Sequence, residues 1–200
     1  MNEEWSTETP EGVDWSFLPE GMRDFVTPNP MASRPTPGFG LTVEDEMPKI
    51  INAQKHLSDD DRQFIRSAAN SPVDLFYKWL VIRGESPKYS EINSIWTSVP
   101  ARDLINRIKN TIKRARPYWI NDDISPVDGT ETISYSYPSA HAIGAWRIAL
   151  FLSKKYPHLR SGLESLADRI CLSRIQAGVH YPSDVAPGRA IAECMDKNGY

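Results

Sequence analysis

Eight residues in the second half of the chain have types and spacing suited to holding and attacking a tetrahedral anion: Lys109, Arg116, Ser139, Ala140, His141, Arg174, His180 and Asp184. Lys109 and Arg116 are seven residues apart. At ~100° per residue, seven residues fall within roughly 20° of two full turns, so on one helix both side chains leave the same face. Lys109 lies four residues from Ile105 and three from Ile112, at the edge of an apolar stripe, and an inward-pointing cation wants an anion. A snorkelling lysine and an arginine closing a helix would give the same pattern taken alone. Pro138-Ser139-Ala140-His141 opens a helix whose free N–H groups and dipole form an anion site. The Ser139 hydroxyl can cap or donate there, and His141 projects from the first turn; an ordinary N-cap followed by an exposed histidine is the plainer alternative.

Arg174 is the one charged position on the face formed by 167, 170, 171, 174, 177 and 178. A guanidinium there needs a partner: a bound anion held bidentately, or a carboxylate such as Asp168 or one from the 122–131 loop. His180 follows six residues on, which on a continuous helix would turn it roughly 120° away from Arg174. Convergence requires the helix to end or bend, and Gly178 and Pro182 permit that. Asp184, four residues beyond His180, can accept from Nδ1–H and leave Nε2 as a base or nucleophile, although such a pair can also be purely structural.

The elements that must position these groups read as helices. Leu57-Ser58-Asp59-Asp60-Asp61 opens one with an acidic first turn. Ser71-Pro72 caps Val73 to Ile82, which Gly84 ends, and Ser90-Glu91 starts a short helix reaching about Ser98. Pro100 to Ala115 carries an apolar stripe and stops before Arg116-Pro117. A long acidic loop, Tyr118 to Tyr137, leads to Ser139–Tyr156, apolar on nearly every side and hence a central buried helix. Leu163–Gly178 and Ser183 to about Lys197 complete the set. The expected fold is all-α: a single-domain helical bundle (49–200, site within 109–184) preceded by a proline-rich, largely irregular arm over 1–48. That arm is too proline-dense for long helices yet, with Trp5, Trp15, Phe17, Phe25 and Phe39, too apolar for a solvated tail. It packs on its own body, lids a pocket, or reaches a partner copy, which would make a homo-oligomer.

With 200 residues and a net charge of −3, the chain has one core and no basic surface for nucleic acid. Two cysteines, Cys171 and Cys194, read as buried hydrophobes, and His56 and His158 as surface residues without zinc-site spacing. The N-terminus shows no signal peptide and no apolar run is long enough to span a bilayer, so a cytoplasmic location is expected.

The ordered set Lys109-x6-Arg116-Pro117, Pro138-Ser139-Ala140-His141 and Ser173-Arg174-x5-His180-x3-Asp184 resembles the type 2 phosphatidic acid phosphatase superfamily, which includes class A bacterial acid phosphatases and vanadium haloperoxidases. Tyr135-Ser136-Tyr137-Pro138-Ser139-Ala140-His141 looks most like the soluble acid phosphatases. The resemblance implies that Lys109, Arg116 and Arg174 hold the phosphoryl oxygens, helped by Ser139 and the Ala140 N–H. It further implies that His180, oriented by Asp184, attacks phosphorus to form a phosphohistidine while His141 protonates the leaving oxygen. The implied activity is metal-independent hydrolysis of a soluble phosphomonoester or pyrophosphate, without cofactor, with an optimum at about pH 5 to 6.5. A nucleotide or sugar phosphate would suit, and Tyr118, Trp119, Tyr135 and Tyr137 could stack a base. The alternatives are a haloperoxidase with vanadate as cofactor, and a phosphate-binding relative weakened by Ala140, which stands where the family has glycine.

Overall fold

The computed structural model describes residues 14–26, 43–127 and 132–200. In chain order the helices are α1 (Arg23–Val26), α2 (Val43–Lys55), α3 (Asp59–Asn70), α4 (Pro72–Val81), α5 (Tyr89–Trp96), α6 (Val99–Ile112), α7 (Pro117–Ile120), α8 (Ala140–Lys155), α9 (Arg160–Gln176), α10 (Pro182–Val185) and α11 (Gly188–Lys197), with a 3₁₀ turn over Pro157–Leu159. The fold is all-α, and no strand occurs among the described residues.

Helix α8 is the axis of the bundle. Its buried residues Ala142, Ile143, Ala145, Trp146, Ile148, Ala149 and Leu152 point to every side, as a helix with neighbours all round requires. It packs against α9, α11 and α5. Two tryptophans come close by lying on glycines. A Cβ at Gly144 would sit 2.4 Å from the Trp96 ring, and one at Gly162 2.4 Å from that of Trp79.

Local signals set most helix starts. Ser58 and Asp61 form a reciprocal capping box on α3, Ser71 caps α4 ahead of Pro72, and the Ser139 hydroxyl accepts from the Ala142 N–H at the start of α8. Three expectations need correction. Helix α6 stops at Ile112 because Lys113 takes a left-handed conformation (φ 53°) and caps it. Lys109 and Arg116 therefore do not share a helix face; Arg116 is instead the N-cap of α7. The last expected helix is two, α10 and α11, broken at Ala186-Pro187. Helix α2 begins at Val43 and carries Pro48 inside it, so the expected arm boundary at 48 falls within a helix.

Within the arm, Trp15, Met22 and Val26 are buried in the main core, and Phe17 packs beside them under the Arg107 guanidinium. Trp5, Phe39 and prolines 10, 28, 30, 35 and 37 lie outside the described residues, as do Asp128 and Glu131 of the acidic loop. Cys171 and Cys194 are buried and free, and His158 is exposed beside Glu85.

Candidate active site

Four segments converge. The C-terminal half of α6 brings Lys109, the segment before α7 brings Arg116, the start of α8 brings Ala140 and His141, and the end of α9 with the turn after it brings Arg174 and His180. All six side chains or backbone groups line one cavity of about 240 Å³. Ser139 lies just behind it, fully buried, with its backbone N–H donating to the Asp184 carbonyl at 3.0 Å. Ala140 is the first residue of α8, so its N–H has no intrahelical acceptor. Lys113 is the one non-glycine residue with positive φ among the described residues, so Ala140 sits in ordinary helical geometry.

The bend that joins Arg174 to His180 is local. Helix α9 ends at Gln176, and Gly178 takes φ +75°. A Cβ there would also meet Gln54 Nε2 at 2.6 Å and Ile124 Cγ2 at 2.8 Å, so glycine is favoured on both counts. Past the bend, His180 Nδ1 lies 3.1 Å from Asp184 Oδ2. A carboxylate accepts, so Nδ1 carries the proton and Nε2 keeps its lone pair. That lone pair faces Arg116 Nη1 at 3.3 Å. Arg116 is aimed by carbonyls: Nη1 donates to Val179 O and Nε to Ser134 O, both at 2.7 Å. Lys109 Nζ donates to the carbonyls of Tyr135 (2.6 Å) and Ser136 (3.0 Å). Arg174 Nη2 donates to Ile65 O at 2.9 Å. Each cation is thus pinned by backbone, which fixes where a bound anion would sit.

Burial and mutual repulsion make the cavity hungry for negative charge. Lys109 is 5 % exposed, and burial with Arg116 nearby pulls its pKa down to about 7. Burial, with Arg174 next, brings His141 to about 3, and its Nε2–H donates to Ala69 O at 3.2 Å. Burial likewise holds His180 well below the usual histidine range, against the pull of Asp184. Burial opposes the charge on Asp184, yet Arg114, the His180 ring and the Tyr181 N–H together bring its carboxyl to about 2.

Sequence reasoning missed Arg114 and Glu46. Arg114 Nη1 meets Asp184 Oδ1 at 2.8 Å and its Nη2 meets Glu46 Oε2 at 2.7 Å. Glu46, wholly buried in α2, also accepts from the Ser183 N–H at 2.7 Å. Arg114 stands beside a motif in the run Lys113-Arg114-Ala115-Arg116, but nothing near Glu46 marks it. The four aromatic residues considered for base stacking do not line the cavity. Tyr137 is core, and the Tyr118 hydroxyl accepts from the Thr132 N–H.

The chain belongs to the PAP2 superfamily: residues 92–197, more than half of it, match that family. It is 34 % identical over 94 residues to a lipid A 1-phosphatase of Rhizobium johnstonii (44 % of this chain, 37 % of the relative). It is 33 % identical over 93 residues to an acid phosphatase of Zymomonas mobilis (45 % and 35 %). With a decaprenylphosphoryl-5-phosphoribose phosphatase of Mycobacterium tuberculosis it shares 39 % over 88 residues (42 % and 45 %). The matched region is thus less than half of each relative's length. The fold is also that of a transmembrane PAP2 type phosphatidylglycerolphosphate phosphatase from Bacillus subtilis, with TM-score 0.52, 21 % identity, and coverage of 74 % of this chain and 80 % of that one. No helix among the described residues here is long and apolar enough to cross a membrane.

Proposed function

We propose that this chain is a metal-independent phosphatase that hydrolyses a phosphomonoester, or a pyrophosphate, through a phosphohistidine. The observation that carries this is the meeting of Lys109, Arg116 and Arg174 with His180 and His141 around one cavity. The three cations, with the Ala140 N–H, hold the phosphoryl oxygens, while the Ser139 hydroxyl, expected from the sequence to join them, stays behind the cavity as the cap of α8. His180 Nε2 gives its lone pair to phosphorus as the ester P–O bond breaks. His141 keeps Nε2–H on Ala69 O, so a proton taken up at Nδ1 is the one passed to the leaving oxygen. Water then attacks phosphorus, the P–N bond breaks, and His141 takes the water proton. An imidazole this hard to protonate needs a negative guest, so the proton arrives with the phosphate monoanion, which favours the acid side of neutrality.

The resemblance to acid phosphatases, including the Zymomonas mobilis protein, supports a small water-borne substrate such as a sugar or nucleotide phosphate. The test is hydrolysis of p-nitrophenyl phosphate, unchanged by EDTA and inhibited by vanadate. Full activity in His180→Ala would refute the assignment.

A second reading rests on a separate observation. A groove of about 270 Å³ adjoins the cavity at Ala140 and His141 and runs between α5, α6 and α8, walled by Trp96, Ala101, Ile105 and Gly144 and edged by Thr97, Arg102 and Arg147. It shares His141 with the cavity, and its apolar walls, with Arg102 and Arg147 beside them, suit the apolar chain of a lipid or polyprenyl phosphate of the kind named for the Rhizobium johnstonii and Mycobacterium tuberculosis relatives. Phosphate release from detergent-dispersed lipid and polyprenyl phosphates, set against sugar phosphates and nucleotides, separates the two.

A further inference from the structure

Two charged residues behind the cavity have no part in the steps above. Glu46 is 0 % exposed and reaches the site from α2, while Arg114 comes from the segment after α6. Arg114 forks between two carboxylates, with Nη1 on Asp184 Oδ1 and Nη2 on Glu46 Oε2, and its guanidinium lies 4.0 Å from the centre of the Tyr181 ring. Glu46 closes the network onto the same turn through both the N–H (2.7 Å) and the hydroxyl (2.6 Å) of Ser183. Asp184 is left with Oδ2 for the His180 ring and the Tyr181 N–H.

We propose that Glu46 and Arg114 are positioning residues for the reaction: together they clamp the Asp184 carboxylate so that His180 presents Nε2 to phosphorus. The inference rests on the phosphatase reading and deepens it. A carboxylate that orients an imidazole must keep its charge and its angle. Arg114 supplies the first as the nearest counter-ion, and Glu46 the second by fixing both Arg114 and the turn that carries Asp184. The remaining groups facing Asp184 are Lys109 and Arg116 from the cavity side, His180 and Tyr181 from its own turn, and Tyr137 from the segment before α8. None of these bonds to Oδ1 as Arg114 does.

The test uses the full chain with p-nitrophenyl phosphate over pH 3 to 8. Arg114→Gln removes the cation and leaves Asp184 beside Glu46. Asp184 then holds its proton to higher pH, and the acid limb of kcat/KM moves up by about 1 to 3 pH units. Glu46→Gln leaves Arg114 to Asp184 alone, so no acid limb enters the range while kcat falls by up to about 10²-fold as the imidazole loses its aim. Arg114→Lys restores the position of the limb and only part of kcat, because an ammonium does not fork between two carboxylates. A purely structural ion pair would lower stability and the active fraction in all three variants with no movement of the limb, and that result overturns the inference. It overturns the inference alone if the unmodified chain turns over and His180→Ala does not. No turnover by the unmodified chain overturns the phosphatase reading and this inference with it. A rise in melting temperature with phosphate in each variant certifies that the cavity has formed.

Discussion

His180 and Asp184 divide one task between two atoms. Asp184 Oδ2 accepts from Nδ1–H, and the lone pair is thereby left on Nε2, the atom proposed to attack phosphorus. Asp184→Asn keeps the shape but offers an amide that can donate to Nδ1, which favours the wrong tautomer. By the size of that effect in a serine protease, kcat should fall about 10³- to 10⁴-fold with a smaller change in KM. Steady-state kinetics and trapping of the phosphoenzyme measure it, and a KM effect with kcat kept would place Asp184 in binding instead. This pair is readable from sequence because its spacing alone allows the bond. Glu46 is not readable, because its partner Ser183 lies 137 residues away and the packing of α2 alone brings them together. The spacing pairs Arg116 with Lys109 through a shared helix face, and the structure pairs them by another route. The two meet at the cavity although a left-handed Lys113 ends the helix between them.

At the scale of elements, caps and breakers told most of the story. Ser58, Ser71 and Ser139 start helices where their side chains can accept the orphan N–H groups. The continuous apolar surface of 140–155 marks the central helix. Breaks that depend on one residue's conformation, such as Lys113, or on a single proline within an otherwise helical run, such as Pro187, stay hidden in the sequence. Gly178 is the break that matters for chemistry, and it can be separated from one that does not. Gly178→Ala forces φ +75° on a side chain that would press on Gln54 and Ile124; Gly162→Ala presses on Trp79, away from the cavity. Each should cost about 1 to 3 kcal/mol in urea denaturation. Only Gly178→Ala should also lower kcat/KM of the folded fraction, by about 10-fold or more, since it moves His180 relative to Arg174. Equal activity per folded molecule in the two variants would show that the turn does not set the site.

The molecule as a whole brings three cations into one cavity of about 240 Å³, an arrangement that favours a bound dianion over an empty site. Anion binding should therefore raise stability with the logarithm of anion concentration above Kd, by about 2.7 kcal/mol at a hundred times Kd. For a chain of this length that corresponds to a rise in melting temperature of about 5 to 10 °C. Sulfate is the useful probe, because its charge does not change between pH 6 and 8.5 while that of phosphate does. Lys109 has its pKa lowered to about 7, so it is charged below that pH and neutral above it in the empty site. Sulfate meets three cations at pH 6, whereas at pH 8.5 binding must also draw a proton onto Lys109. The sulfate-induced shift should therefore be larger at pH 6, and the difference should vanish in Lys109→Met. Salting-out by sulfate acts at both pH values and in the variant alike, so it cancels from that comparison. A shift of equal size at pH 6 and 8.5, or one that persists in an Arg174→Ala, Lys109→Met double variant, would mean that the cations do not act together on one guest.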